Sequence, residues 1–270
     1  MAMIVQHNLK AMNSNRMLNV NSATLGKTTE KLSSGYKINR AADDAAGLAM
    51  SEKMRRQVRG LTQASANAQD GVSMVQTAEG ALNEVHDMLQ RMNELAVKAA
   101  NGTLAAEDCG YIDKEVKALM SEINRVASTT DFNGIKLLNS AQTINIQVGL
   151  GGSSVIGITL AKVNCSGLTL SGDATSQANA KTLIGKVEGA IKSLNGKRAD
   201  LGAVQNRLEH TINNLDNVVE NTQAAESRIR DTDMATEMVK YANTNILAQA
   251  GNAMLAQANQ SNQGVLSLLQ

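Results

Sequence analysis

The sequence predicts a mainly α protein, an elongated antiparallel helical coiled-coil bundle with a small β-hairpin region. The first observation is composition, since the 270 residues include no Pro, no Trp, one Phe and three Tyr. Pro breaks helices, and aromatic side chains supply much of the area buried in ordinary globular cores. The second observation is that apolar residues recur at spacings of three and four, which indicates long helices with a coiled-coil seam. The third is that alternation with a period of two is confined to residues 131–172.

The N-terminal segment, residues 1–42, is predicted to form a single helix followed by a short loop. Val5, Leu9 and Met12 recur at i, i+4 and i+7 and form a narrow apolar stripe. The helix should end at Ser33-Ser34-Gly35, because Gly35 can adopt the left-handed conformation that closes a helix.

Residues 43–130 are predicted to form a long helix and a shorter helix that folds back on it as a hairpin. Asp43 and Asp44 indicate the start of the long helix, since acidic residues favour the first helical turn, and Asn101-Gly102 should end it. Such a helix is roughly 85–90 Å long at about 1.5 Å per residue. Its seam is Met54, Val58, Leu61, Ser65, Ala68, Val72, Val75, Ala78, Leu82, Val85, Leu89, Met92, Ala96 and Ala99. The shorter helix, over about residues 106–129, has the apolar face Ile112, Val116, Leu119, Ile123 and Val126.

Residues 131–175 are predicted to form the small β region. The stretch DFNGIKLL, residues 131–138, places an Asn-Gly turn between apolar residues. The stretch TINIQVG alternates Ile144, Ile146 and Val148, and VIGITL follows after a Gly-Gly-Ser-Ser turn.

The C-terminal half is predicted to form a second long helix over residues 176–231 and a terminal helix over residues 232–270. Asn195-Gly196 interrupts the pattern of the long helix and is expected to fray or kink it. The terminal helix has a thin stripe, Leu247, Ala250, Met254, Ala258, Ser261, Val265 and Leu268. Neither terminal helix has enough apolar surface to be stable alone, so each needs the other or neighbouring copies of the chain.

Charge and motif content argue against several function classes. The net charge of +1, from 26 basic and 25 acidic residues, gives no electrostatic reason for nucleic-acid binding. There is no run of 18 apolar residues, so no membrane insertion is expected, and the N-terminus lacks the apolar core of a cleaved signal peptide. His7, His86 and His210 lack metal-ligand spacing, so we expect no cofactor and no enzyme activity. Cys109 and Cys165 are interpreted as free thiols, although the sequence alone leaves a bridge between them open.

Four blocks in order resemble the bacterial flagellins. LSSGYKINRAADDAAGLAMS, residues 32–51, is similar to the family's N-terminal signature, and LQRMNELAVKAANGT, residues 89–103, to its next block. DFNGIKLL, residues 131–138, matches its β-turn entry, and the stretch at residues 198–238 resembles its C-terminal block. The resemblance covers about residues 1–140 and 176–270, and the short β region stands where flagellins usually carry a variable outer domain.

The resemblance implies a structural subunit that polymerises into the flagellar filament for motility. The N- and C-terminal helices of flagellins pair in the inner tube of the filament, which implies core packing by Val5, Leu9, Met12, Leu247, Met254, Val265 and Leu268. We also expect residues 1–35 and 235–270 to be disordered in the free monomer and to fold on polymerisation. The implied partners are other flagellin subunits, an export chaperone at the C-terminal segment, and the filament cap and hook-junction proteins. The implied location is the extracellular flagellum, reached by type III export.

The resemblance further implies that the chain is a ligand of the Toll-like flagellin receptor of an animal host. The matching positions are Gln90, Arg91 and Leu95 on the long helix and Glu115 on the returning helix. An alternative interpretation of the helical ends is a minor flagellin or a hook–filament junction-type axial protein. A signalling coiled coil would need a membrane anchor or sensor domain, and the sequence indicates neither.

Overall fold

The computed structural model describes residues 8–267, with side chains described through residue 261. Over these residues it is mainly α, with five helices and two small antiparallel hairpins, which confirms the predicted fold class. The elements in chain order are α1 (Leu9–Ser34), α2 (Ala45–Ala99), α3 (Ala106–Thr129), β1 (Asp131–Phe132), β2 (Ile135–Lys136), β3 (Gln142–Gln147), β4 (Val155–Leu160), α4 (Gln177–Arg230) and α5 (Met234–Ser267).

The described chain divides into two compact units. The terminal unit combines the N-terminal segment through Arg56 with the C-terminal segment from Asn221 onward. The central unit is Gln57–Glu220, and the long helices α2 and α4 contribute residues to both units. The predicted division into five functional segments follows helix boundaries instead, and it stays a prediction.

Helix α1 ends where the sequence predicts. Gly35 adopts φ 75°, and its N–H donates to the carbonyl of Lys31 at 2.9 Å. At the other end, the Asn8 side chain accepts a hydrogen bond from the N–H of Ala11 at 3.0 Å and so caps the helix.

Asp43 and Asp44 mark the start of helix α2, as predicted, and they lie just before its first residue, Ala45. Asp44 Oδ1 accepts the N–H of Gly47 at 2.9 Å, and Asp43 Oδ2 accepts the N–H of Arg40 at 3.0 Å. The backbone donation from Arg40 lowers the pKa of Asp43. A carboxylate just before the helix satisfies amide groups that lack intrahelical partners.

The core of the central unit contains the predicted seam of α2. From Leu61 to Ala99 every seam residue is buried except Val72, which is half-buried. Helix α3 supplies Ile112, Val116 and Ile123 to the same core, as its apolar spacing predicts. The fully buried large side chains of this core include Leu82, Leu89, Met92, Leu183, Leu194 and Leu208.

Helices α2 and α4 run antiparallel. Within the central unit, Ser65 Oγ donates to Asp216 Oδ1 at 2.9 Å, and Arg198 lies 3.6 Å from Glu79. Residue numbers therefore increase along α2 while those of the facing residues on α4 decrease. Ser65 is buried at a seam position, and the bond to Asp216 satisfies its hydroxyl.

Asp113 connects α3 to the segment that leads into α4. Its side chain is buried, accepts the N–H of Ala174 at 3.0 Å and pairs with Lys117 at 2.6 Å. Burial alone would raise the pKa of this carboxyl, but the hydrogen bonds from Lys117 and Ala174 lower it below its ordinary value.

The two hairpins confirm the predicted β region in part. Asn133 and Gly134 have φ of 49° and 79° between β1 and β2, as a two-residue Asn-Gly hairpin turn requires. Ile144 pairs with Ile158 and Ile146 with Ile156 across β3 and β4. The strands end at Leu160, so residues 161–172 belong to an irregular segment and not to the predicted hairpins.

Helix α4 continues through Asn195-Gly196 without interruption, which corrects the predicted fray or kink. Leu194 and Leu201 on either side are buried in the core. Lys197 Nζ also donates to the carbonyl of Lys162 at 2.8 Å. Gly costs about 1 kcal/mol relative to Ala in a helix, and the tertiary contacts on both sides outweigh that cost.

Replacing Gly196 with alanine is expected to stabilise the central unit by about 0.5–1 kcal/mol. An added Cβ would meet no atom within 4 Å, and the backbone is already helical. Urea unfolding of the full chain followed by circular dichroism measures the change. Gly134→Ala is the matched control: φ is +79° there, so this variant should lose about 1–2 kcal/mol. A destabilised Gly196→Ala variant would contradict the argument.

Candidate functional site

Helices α1 and α5 form an antiparallel pair within the terminal unit. Asn8 Nδ2 donates to the carbonyl of Ala258 at 3.0 Å, and Leu18 lies against Gly251, where an added Cβ would be 3.3 Å from Leu18 Cδ1. The more buried side of α1 repeats every three or four residues, at Ala11, Ser14, Leu18, Asn21, Leu25, Thr28 and Leu32.

The large apolar residues of the predicted terminal stripes lie outside this helix–helix contact, whereas Ala258 of the α5 stripe is half-buried in it. Leu9, Met12, Leu247 and Met254 are all more than half exposed. Val5 and Leu268 lie outside the described residues, and Val265 lies in α5 without a described side chain. Leu9, Met12, Leu247 and Met254 therefore do not hold α1 to α5, and they stay available to another molecule.

Large exposed apolar side chains are concentrated on the terminal pair, and we call this set the terminal apolar surface. On α1 the surface lies partly along a groove that Arg16, Asn15, Asn19 and Ala23 also line. Single exposed apolar residues are common, but their concentration on one pair of helices indicates an interaction surface. The members of the terminal apolar surface are Leu9, Met12, Met17, Val20, Met234, Met238, Val239, Ile246, Leu247 and Met254.

A short clasp joins the two loops that connect the terminal helices to the long helices. The N–H of Lys37 donates to the carbonyl of Arg230 at 2.6 Å, and the N–H of Thr232 donates to the carbonyl of Gly35 at 3.0 Å. The guanidinium of Arg230 lies 4.6 Å from the ring centre of Tyr36. These contacts fix the start of α5 beside the end of α1.

Arg230 also bonds to helix α2 within the terminal unit. Its Nη1 lies 2.8 Å from Glu52 Oε1, and this hydrogen bond is the main reason that the pKa of Glu52 falls below its ordinary value. Ser51 Oγ donates to Glu226 Oε1 at 3.0 Å beside it. No sequence pattern indicates this cluster, because Tyr36 and Glu52 are far from Arg230 along the chain.

The four residues that the flagellin resemblance implies as immune-receptor contacts differ in their exposure. Gln90, Arg91 and Glu115 are exposed, and Arg91 donates to Glu115 Oε1 from Nε at 3.0 Å and from Nη2 at 2.9 Å. The hydrogen bond to Glu115 is the main cause that raises the pKa of Arg91. Leu95 is only 4% exposed and packs in the core, so it supports this surface from beneath and offers almost no surface of its own.

The described residues contain no membrane span and no metal-ligand cluster. No described helix combines the length and apolarity that a membrane span requires. Among residues 8–267 no three His, Cys, Asp or Glu side chains are grouped as metal ligands would be. Cys109 and Cys165 are both free, which answers the question that their sequence spacing left open.

Two family models match the chain. The model of the bacterial flagellin N-terminal helical region matches residues 5–143, and that of the bacterial flagellin C-terminal helical region matches residues 184–269. The matches include the terminal helices, the hairpin formed by α2 and α3, and most of α4.

Curated relatives match over nearly the whole chain. The flagellin of Halalkalibacterium halodurans is 53% identical over 271 residues, which covers 99% of this chain and all of that protein. Flagellin FlaB2 of Treponema pallidum is 48% identical and the flagellin of Bacillus subtilis 46% identical, each with the same coverage.

A solved structure agrees with these matches. The crystal structure of Bacillus cereus flagellin is 36% identical to this chain and superposes with a TM-score of 0.50. The superposition covers 56% of this chain and 88% of that one. The chain therefore belongs to the bacterial flagellin family, in a short form, and as a flagellin it is a structural subunit of the flagellar filament and not an enzyme.

Proposed function

We propose that this flagellin polymerises by burying its terminal apolar surface between neighbouring copies of the chain. The observation that supports this proposal is the position of Leu9, Met12, Leu247 and Met254, which face away from the contact between α1 and α5. The predicted packing of Val5, Val265 and Leu268 in the filament core belongs to the same proposal.

The driving force follows from the exposed area. Complete burial of a Leu, Met or Val side chain contributes about 1.5–3 kcal/mol, so the half that is exposed in the folded chain contributes roughly 1 kcal/mol. Several such side chains on each subunit supply enough free energy to offset the loss of translational and rotational freedom on association. The clasp at Tyr36 and Arg230 holds the start of α5 beside the end of α1, so both parts of the surface are presented together.

Electron microscopy of the purified full chain, after salt or filament seeds are added, tests the proposal. We expect long filaments of uniform, thin diameter. Monomers that persist where a control flagellin polymerises would contradict it and would favour a hook–filament junction-type axial protein. Labelling of flagella in cells distinguishes a major from a minor flagellin.

Membership of the family supports further partners and a location. We infer export through the type III apparatus to the extracellular flagellum, with a chaperone bound to the C-terminal segment before export. The filament cap and the hook-junction proteins would then contact the chain at the two ends of the filament. Co-purification of α5 peptides with a cytoplasmic partner measures the first of these interactions.

A second proposed role is binding to a Toll-like flagellin receptor of an animal host. Gln90, Arg91 and Glu115 support it, because they form one exposed surface across α2 and α3. The guanidinium of Arg91 is held in place by two bonds to Glu115, and a preorganised Arg is a common interface anchor. Leu95 would act by fixing the surface from beneath.

Arg91→Ala is expected to weaken receptor binding by roughly tenfold or more, as loss of an anchor residue does. Surface plasmon resonance with the receptor ectodomain measures the change. Arg125→Ala is the matched control, since Arg125 is also exposed and is paired with a carboxylate, that of Glu122. If the parent and the Arg91→Ala variant bind the receptor with equal affinity, Arg91 is not the anchor.

A further inference from the structure

The described methionines of the two units differ in exposure: those of the terminal unit are mostly exposed, with Met54 half-buried, and those of the central unit are buried or half-buried. In the terminal unit six are about half exposed or more, with Met12 and Met254 at 63% and 62%. In the central unit Met74 and Met92 are buried at 3% and 0%, and Met88 and Met120 are half-buried. The six exposed residues are Met12, Met17, Met50, Met234, Met238 and Met254.

Exposure of the sulfur determines how readily a methionine is oxidised. A peroxide transfers one oxygen atom to the thioether: the S–O bond forms, the O–O bond breaks, and water leaves when the oxidant is hydrogen peroxide. The sulfur loses two electrons and the peroxide gains them. The product, methionine sulfoxide, is polar where the thioether was apolar, and reductases specific for each epimer reverse the reaction. Met12 and Met254 therefore meet a dissolved oxidant long before Met74 or Met92.

Met12 and Met254 lie at the same level of the terminal pair. Asn8 bonds to Ala258, and Leu18 lies against Gly251, so the antiparallel register places residue 12 opposite the turn of α5 that contains residue 254. Both belong to the terminal apolar surface, where Met replaces Leu or Ile at half of the positions. Met packs as well as Leu does against irregular surfaces, and unlike Leu it can be oxidised.

We propose that the exposed methionines of the terminal unit, above all Met12 and Met254, are oxidation sites at which a peroxide switches off assembly. This inference rests on the proposed function, that the terminal apolar surface is buried between subunits. A sulfoxide buried there leaves a strong acceptor without a partner, which opposes association. The central unit stays folded, because its core methionines are shielded from the oxidant.

The experiment treats the full-length monomer with dilute hydrogen peroxide and divides the sample. Peptide mass spectrometry should find sulfoxide at Met12 and Met254 before Met74 and Met92. Seeded elongation, followed by light scattering, should slow by roughly tenfold or more, as expected when a polar group is buried without a partner. The thermal transition of the central unit, followed by circular dichroism, should not change. Treatment with both methionine sulfoxide reductases should restore elongation.

Matched variants assign the effect to these positions. A Met12→Leu, Met254→Leu double variant should elongate after peroxide much faster than the treated parent. The corresponding Met88→Leu, Met120→Leu variant should be as sensitive as the parent, because both residues belong to the central unit. Leu and Met have similar volumes, so neither pair should disturb folding.

Three results would overturn the proposal: oxidised parent that elongates at the untreated rate, sulfoxide that forms equally fast at Met74 and Met12, or reductases that restore nothing. Failure of the proposed function is distinguishable, because an untreated Leu247→Asp variant would then elongate as fast as the untreated parent. In that case the proposed effect of oxidation on assembly is also wrong. Mass spectrometry still decides whether oxidation is selective for the terminal unit.

Discussion

Replacing Leu89 with alanine is expected to lower the free energy of unfolding of the central unit by about 2–5 kcal/mol. Leu89 is 0% exposed and lies in the middle of the α2 seam, within the core that α2 shares with α3 and α4. The substitution removes three carbons and leaves a cavity that surrounding helices cannot close, since their positions are fixed by neighbouring seam residues. Urea unfolding of the full chain, followed by helical circular dichroism, measures the loss as a lower midpoint.

The matched control for this variant is the same substitution at an exposed leucine. Leu247 is 52% exposed on α5, so Leu247→Ala should change the stability of the central unit by less than about 0.5 kcal/mol. Leu89→Ala and Leu247→Ala variants with equal unfolding midpoints would show that the α2 seam is not the centre of the core.

The central core was largely predictable because its signal is repeated many times. Apolar residues from Leu61 to Ala99 recur on one side of α2 every three or four positions. A repeat of that length is typical of a long helix and not of a strand. Ser65 shows that the spacing was more informative than the residue type. Its hydroxyl is buried at a seam position and bonds to Asp216 across the helix pair.

The departures from prediction have two physical causes. At Asn195-Gly196 the tertiary contacts of Leu194 and Lys197 outweigh the local propensity to break the helix. Local sequence patterns contain no information about such contacts. The clasp between Tyr36 and Arg230 depends on two loops at opposite ends of the chain. Neither loop contains a local pattern that indicates its partner.

The candidate sites show what periodicity cannot decide. A stripe such as Leu247 and Met254 reveals that a helix has an apolar face, but not whether its partner is the same chain or another molecule. The structure places the contact between α1 and α5 on other residues, such as Leu18 and Gly251, and leaves the stripe exposed. Leu95 is the opposite case: it was predicted as part of a binding surface, and it is buried in the core.

Leu247→Asp is expected to raise the critical concentration for polymerisation by at least about a hundredfold, since burying a carboxylate without a partner costs several kcal/mol. If the terminal apolar surface is buried between subunits, every added subunit bears this cost. The protein concentration that remains unpolymerised after seeding, measured by sedimentation, gives the critical concentration directly. Because Leu247 lies in the terminal unit, unfolding of the central unit should match that of the parent.

Two comparisons separate the loss of an interface from a loss of structure. Leu247→Met keeps an apolar side chain of similar volume, so it should polymerise nearly as the parent does. Leu89→Ala should have the opposite effects to Leu247→Asp. It should lower the stability of the central unit and leave the terminal apolar surface intact. Polymerisation of Leu247→Asp at the parent's critical concentration would mean that this part of α5 faces solvent in the filament. The assembly contact would then have to lie on exposed side chains other than Leu247, such as Leu9 and Met12 on α1.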